Sequence, residues 1–179
     1  MKNKYLIGLS ILCVCLSFCI NVSSKDNKVG NAKTIVHEKE NPIWKEVELC
    51  NYDNSVKNYM DYRTITDIDS KQYQIVNDAK NFNGLLYYNG AICVALGSIY
   101  GDVGTVYKIT LESGRELLII KADEKSDRHT INGCNNTNGS ILELIVNTDS
   151  MDETVKIMGD YDYSELLHGK IVKMETGGY

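Results

Sequence analysis

Along the second half of the chain, apolar and polar positions alternate in short runs separated by glycine, which is the pattern of β-strands. Thr105–Leu111 is the clearest run, with Tyr107, Ile109 and Leu111 on one face and Val106, Lys108 and Thr110 on the other. Glu112-Ser113-Gly114 follows as a tight connection with a glycine free to take positive φ. The next run, Arg115–Ala122, contains Leu117-Leu118-Ile119-Ile120 and predicts a strand buried on both faces. Ile92–Leu96, Ser140–Val146 and Lys170–Glu175 predict three more strands. A long polar loop, Asp123–Gly139, carries Asn132-Gly133 and Asn138-Gly139.

Upstream the pattern is weaker. Ile43–Leu49 fits a short strand or one helical turn, Tyr59–Ile65 looks extended, and Ser70–Lys80 predicts a helix. Ser150-Met151-Asp152-Glu153 has capping-box spacing, with Met151, Val155 and Met158 on one helical face and Gly159 as the stop. The order strand, turn, strand, long loop, strand, short helix, strand predicts a mainly β domain closed into a small barrel, not a doubly wound sheet.

The first segment stands apart from this fold. Lys2 and Lys4 precede an apolar stretch, Tyr5–Val22, and Val22-Ser23-Ser24 offers small residues for signal peptidase. Residues 1–24 are therefore expected to be a signal peptide, with an uncleaved membrane anchor as the second reading and lipidation at Cys19 as the third. Each reading places the working part outside the cytoplasm. Lys25–Asn41 is polar and predicts a tether.

Composition narrows the function. The 179 residues are 43% hydrophobic and 24% charged, ordinary for a globular chain. Acids outnumber bases by 24 to 19, which argues against a nucleic-acid binder. Cys13, Cys15 and Cys19 fall in the leader, leaving Cys50, Cys93 and Cys134. Three cysteines cannot form a disulfide framework, so buried free thiols are the expectation, with one disulfide left open. No CxxC pair supports a structural zinc site, and no cofactor motif occurs.

The candidate chemistry lies in Asp123-Glu124-Lys125-Ser126-Asp127-Arg128-His129-Thr130, directly after the buried strand. Glu143 interrupts the apolar run Ile141–Val146, and poor hydration there would raise its pKa. Glu143 is thus the expected general acid, with Asp123 or His129 orienting it or relaying the proton. A solvated loop and an outward strand glutamate are the bland alternatives. A metal set of Asp123, Asp127, His129 and His168 is a further one. Tyr87, Tyr88, Tyr100, Tyr161 and Tyr163 offer a sugar-stacking platform or ordinary packing.

Several stretches carry a resemblance: Tyr59–Thr66, Val94-Ala95-Leu96-Gly97, Tyr100-Gly101, Ala122-Asp123, Asp127–Thr130, Gly139–Val146, Met158-Gly159-Asp160 and Gly169-Lys170-Ile171. Together they resemble a group of secreted Firmicutes and phage-associated proteins over roughly residues 59–175. The second half is also similar to six-stranded double-psi β-barrels, including expansin-like and rare lipoprotein A-like domains and the three-aspartate domain of membrane-bound lytic transglycosylase A. That resemblance places Asp123 at the family's first acid and Glu143 at its catalytic second acid. Here the glycine-rich stretch after the first acid is a charged loop, and the second acid is Glu instead of Asp.

The resemblance implies a double-psi barrel over 59–176 (core about 84–176) behind a polar extension at 25–58. It implies a secreted monomer that cleaves or remodels peptidoglycan glycan strands by acid catalysis, without a cofactor. Asp127, Thr130, Tyr100 and Asp160 are the expected substrate-binding residues. The alternative is a non-catalytic envelope module that binds wall glycan or a protein partner.

Overall fold

The computed structural model describes residues 43–177. The expected leader, and the tether over residues 25–41, lie outside the described residues. Among the described residues, no helix is long and apolar enough to cross a membrane.

The predicted alternation is realised in the central strands. In β6 (Val106–Leu111) Tyr107, Ile109 and Leu111 are buried and their neighbours half-buried. Gly114 takes a φ of 81° in the turn that leads to β7 (Glu116–Glu124). Within β7, Ile119 packs into the larger of two apolar clusters and Ile120 into the smaller, so the strand separates two core layers. β5 (Ala91–Leu96) is buried along its whole length and pairs with β7 in parallel.

Two hairpins precede β5. β3 (Lys80–Phe82) and β4 (Leu85–Tyr88) are joined by Asn83-Gly84, and β4 and β5 by Asn89-Gly90. All four connecting residues have positive φ (49°, 87°, 49° and 85°), the type I′ conformation that matches strand twist. α1 (Lys71–Asp78) begins where the Ser70 side chain accepts from the Tyr73 N–H, and it buries Ile75 and Val76 in the smaller cluster.

β8 (Leu142–Val146) runs antiparallel to β5 and parallel to β2 (Asn58–Asp61). β9 (Ile171–Gly177) joins β6 to β1 (Trp44–Val47), which lies in the stretch expected to be extension. The strand order is β1-β9-β6-β7-β5-β4-β8-β2, with β3 on β4 and a further β5–β8 pairing.

The fold is mainly β, as expected, but the sheet is mixed and open. It holds nine strands among the described residues, more than the six of the expected barrel. Its two ends, β1 and β2, pair only with β9 and β8, so no ladder joins them into a ring. The second helix also differs in detail. α2 (Glu153–Met158) is capped by Asp152, whose carboxylate accepts from the Thr154 and Val155 N–H groups, and not by Ser150. Met158 is exposed, while Gly159 ends the helix in the left-handed conformation.

Cys50 and Cys134 form a disulfide across 84 residues, and Cys93 is the one free cysteine among the described residues. The expectation of free thiols is corrected at those two positions: the pairing joins segments too distant in sequence for spacing to reveal. Cys93 is buried beside apolar neighbours, which pushes its thiol up to about 12.

Candidate functional site

The site forms where β7 leaves the core. β5 and β7 pair regularly up to Val94 opposite Lys121, then slip so that Ala95 faces Asp123 and Ala122 is left as an extra residue. This is a β-bulge, and it turns Asp123 to the same side as Ala95. The Lys121–Glu124 ion pair at 2.8 Å bears this out, because residues three apart share a side only if a bulge lies between them. On the other flank of β5, Ala95 pairs with Glu143 of β8. Asp123 and Glu143 thus flank one alanine from the strands on either side of β5, their Cα atoms about 10 Å apart at two strand spacings.

These carboxyls open into a cleft of about 290 Å³ that is also lined by Lys125, His129, Met60 and Asn136. Asp123, His129 and Glu143 therefore line one cleft. Asp123 is half-buried, and desolvation raises its pKa above the usual carboxylate range, with the Glu124 charge adding to the push. Glu143 is half-buried with Lys125 as its charge partner. Asp123 therefore has the environment of a proton donor.

Lys125 is the cleft residue the sequence conceals. It is 6% exposed, and its Nζ donates to the Ser140 and Ile141 carbonyls at 3.2 and 3.3 Å. Burial pulls its pKa down to about 8, while the Glu143 charge opposes that shift. Lys121 and Lys57 are fully buried too, but each is absorbed in structure. Lys121 Nζ donates to the Gly97 and Gly101 carbonyls and to Glu124, and Lys57 Nζ to the Ser55 and Gly169 carbonyls and to Asp162.

The loop that carries His129 is tied down at several points. Ser126 caps a short 3-10 turn, Asp127–His129. Ser98 Oγ donates to Asp127 at 2.7 Å, and Asn135 Nδ2 donates to Asn54 at 3.0 Å. Gly97 lies so close to this loop that a Cβ there would stand 1.9 Å from the Gly133 carbonyl oxygen.

Four expected substrate-binding residues sit outside the cleft lining. Asp127 and Thr130 belong to the same loop, the first holding Ser98 and the second bridging to Asn136. Tyr100 is 2% exposed in the core, where its hydroxyl meets the Cys50 and Cys134 sulfurs. Asp160 accepts from the Lys57 and Asp162 N–H groups and caps the turn Tyr161–Tyr163. Those two are structural, because burial and local capping consume their polar atoms. Among the described residues no group of three or more His, Cys, Asp or Glu is placed to hold a metal ion. His168 instead directs Nδ1 at the Asp162 carbonyl, 2.9 Å away.

Comparison with protein-family models, curated proteins and solved structures finds no match to this chain. The functional reading therefore rests on the cleft itself.

Proposed function

We propose that this chain is an exported cell-wall protein that cleaves or remodels peptidoglycan glycan strands by acid catalysis, and that it is an opened relative of the double-psi barrels. The observation that carries this reading is the convergence of Asp123, Glu143 and His129 on one cleft, with the two carboxyls on either side of Ala95. A desolvated carboxyl with a raised pKa is a proton donor to a glycosidic oxygen, and Asp123 has that environment. Glu143, across Ala95 from Asp123, supplies the carboxyl that faces the positive charge developing on the sugar ring. Carboxyls two strands apart leave room for a sugar between them. The parallel β5–β7 pair supports the barrel kinship, and the Cys50–Cys134 disulfide supports an oxidising compartment outside the cytoplasm.

The test is digestion of purified peptidoglycan, followed by analysis of the sugar ends. Internal attack by the sugar's own hydroxyl leaves an anhydro end and no new reducing end, whereas hydrolysis leaves a reducing end. Either product should disappear in Asp123→Asn. Failure of the wild-type protein to release either kind of end overturns the catalytic reading. Retention on the insoluble wall without turnover identifies a binding module instead.

A further inference from the structure

A second and larger cleft, about 620 Å³, lies on the other core layer, where Leu85 and Tyr87 of β4 approach Val155 of α2 and the turn Tyr161–Tyr163. Its size lies within the usual range for small-molecule sites. It shares no residue with the Asp123 cleft. Its walls present aromatic rings from three segments: Phe82 and Tyr163, 67% and 56% exposed, and the half-buried Tyr87. Around them stand Arg115, Asp152 and Glu165, cation and acids side by side, so the cleft has no strong field to select an ion.

Tyr161 points to a ligand independently. It is 3% exposed, and among the buried side-chain polar atoms of the described residues its hydroxyl alone has no hydrogen-bond partner. Buried hydroxyls are nearly always paired, and an orphan marks a group awaiting one. The ring cannot easily turn away, because Tyr59 packs edge-on against it at 6.0 Å. Desolvation raises its pKa, and Tyr161 itself lines the cleft together with Tyr87 and Asp152.

We propose that this cleft binds a neutral pyranose oligosaccharide, with Phe82, Tyr87 and Tyr163 stacking on its C–H faces and the Tyr161 hydroxyl hydrogen-bonding a sugar hydroxyl. A sugar ring offers an apolar face bordered by polar groups, which is the complement of aromatic walls edged with mixed charges. Acid catalysis could fail at Asp123 and this site would still stand.

The probe is chitotetraose, titrated into the purified protein and followed by backbone amide NMR. Shifts are expected around residues 82, 154 and 163. Tyr161→Phe removes only the unpaired hydroxyl and should weaken binding roughly tenfold while leaving the melting temperature equal or higher. Tyr163→Ala should weaken binding as well, and Asp123→Asn should leave these shifts and their affinity unchanged. Absence of binding overturns the proposal, as do shifts confined to the Asp123 cleft. Unchanged or tighter binding by Tyr161→Phe does the same and marks an apolar occupant.

Discussion

Replacing both Cys50 and Cys134 with alanine should strongly destabilise the protein without altering its fold. The disulfide closes a loop of 84 residues, and the chain-entropy relation for a loop of that length gives about 4.5 kcal/mol at 25 °C. The double variant avoids leaving a lone thiol against Tyr100. For a domain of this size each kcal/mol moves the midpoint by roughly 3–5 °C, so a drop of about 15 °C follows. Urea unfolding is the assay of choice, because its slope reports the surface exposed. The uncrosslinked chain should unfold with a steeper slope as well as an earlier midpoint. Adding reductant to the wild type should reproduce both changes and leave the double variant unaffected. A loss below about 1 kcal/mol, or a variant still sensitive to reductant, would refute the reasoning.

At the cleft, Lys125→Met tests the buried amine. A lysine depressed from 10.5 to about 8 on folding costs stability below pH 8 and ceases to do so above 10.5. The wild type should therefore gain about 3 kcal/mol from this group across that window, and unfolding at several pH values should show the gain missing in Lys125→Met. Asp123, raised on folding, destabilises the ionised site once pH exceeds its folded pKa, so Asp123→Asn should be neutral or stabilising at pH 7 in a thermal melt. The same variant should lose roughly 10²-fold or more in glycan turnover, and wild-type turnover should fall as pH rises through the Asp123 pKa. Gly97→Ala should cost about 2–3 kcal/mol in urea unfolding, since its Cβ would collide with the Gly133 backbone. Cys93 should resist iodoacetamide in the native state, read by mass spectrometry, because its thiol is buried and pushed up to about 12.

Much of the sheet was written in local pattern. The alternation of Val106–Leu111 and the double-sided run in β7 gave strands where strands exist, because side-chain period reports burial directly. The hairpins at Asn83-Gly84 and Asn89-Gly90 carry a plain signal in their Asn-Gly pairs, which irregular flanking residues mask. Convergence of Asp123 and Glu143 was legible because one follows a core strand and the other interrupts an apolar run. Lys125 was not. In a string such as Asp-Glu-Lys-Ser-Asp-Arg-His every residue looks solvated, and its burial comes from carbonyls at residues 140 and 141. Tyr100 failed in the opposite sense: a tyrosine beside a glycine loop invites a ligand role, yet it serves the disulfide.

The bulge at Ala122 makes the site depend on counting. Along a strand each residue has a parity, odd to one side and even to the other, and one surplus residue inverts it for everything that follows. Were Ala122 drawn into regular pairing opposite Ala95, every acid, base and imidazole of the cleft would remain in the sequence, yet Asp123 would turn to the far side of the sheet from Glu143. Deleting Ala122, by contrast, would leave Asp123 opposite Ala95 in unbroken register and keep it on the side of Glu143. The cleft thus tolerates loss of the surplus residue but not its absorption into the ladder, and a slip of one residue in pairing would do more harm to it than most substitutions.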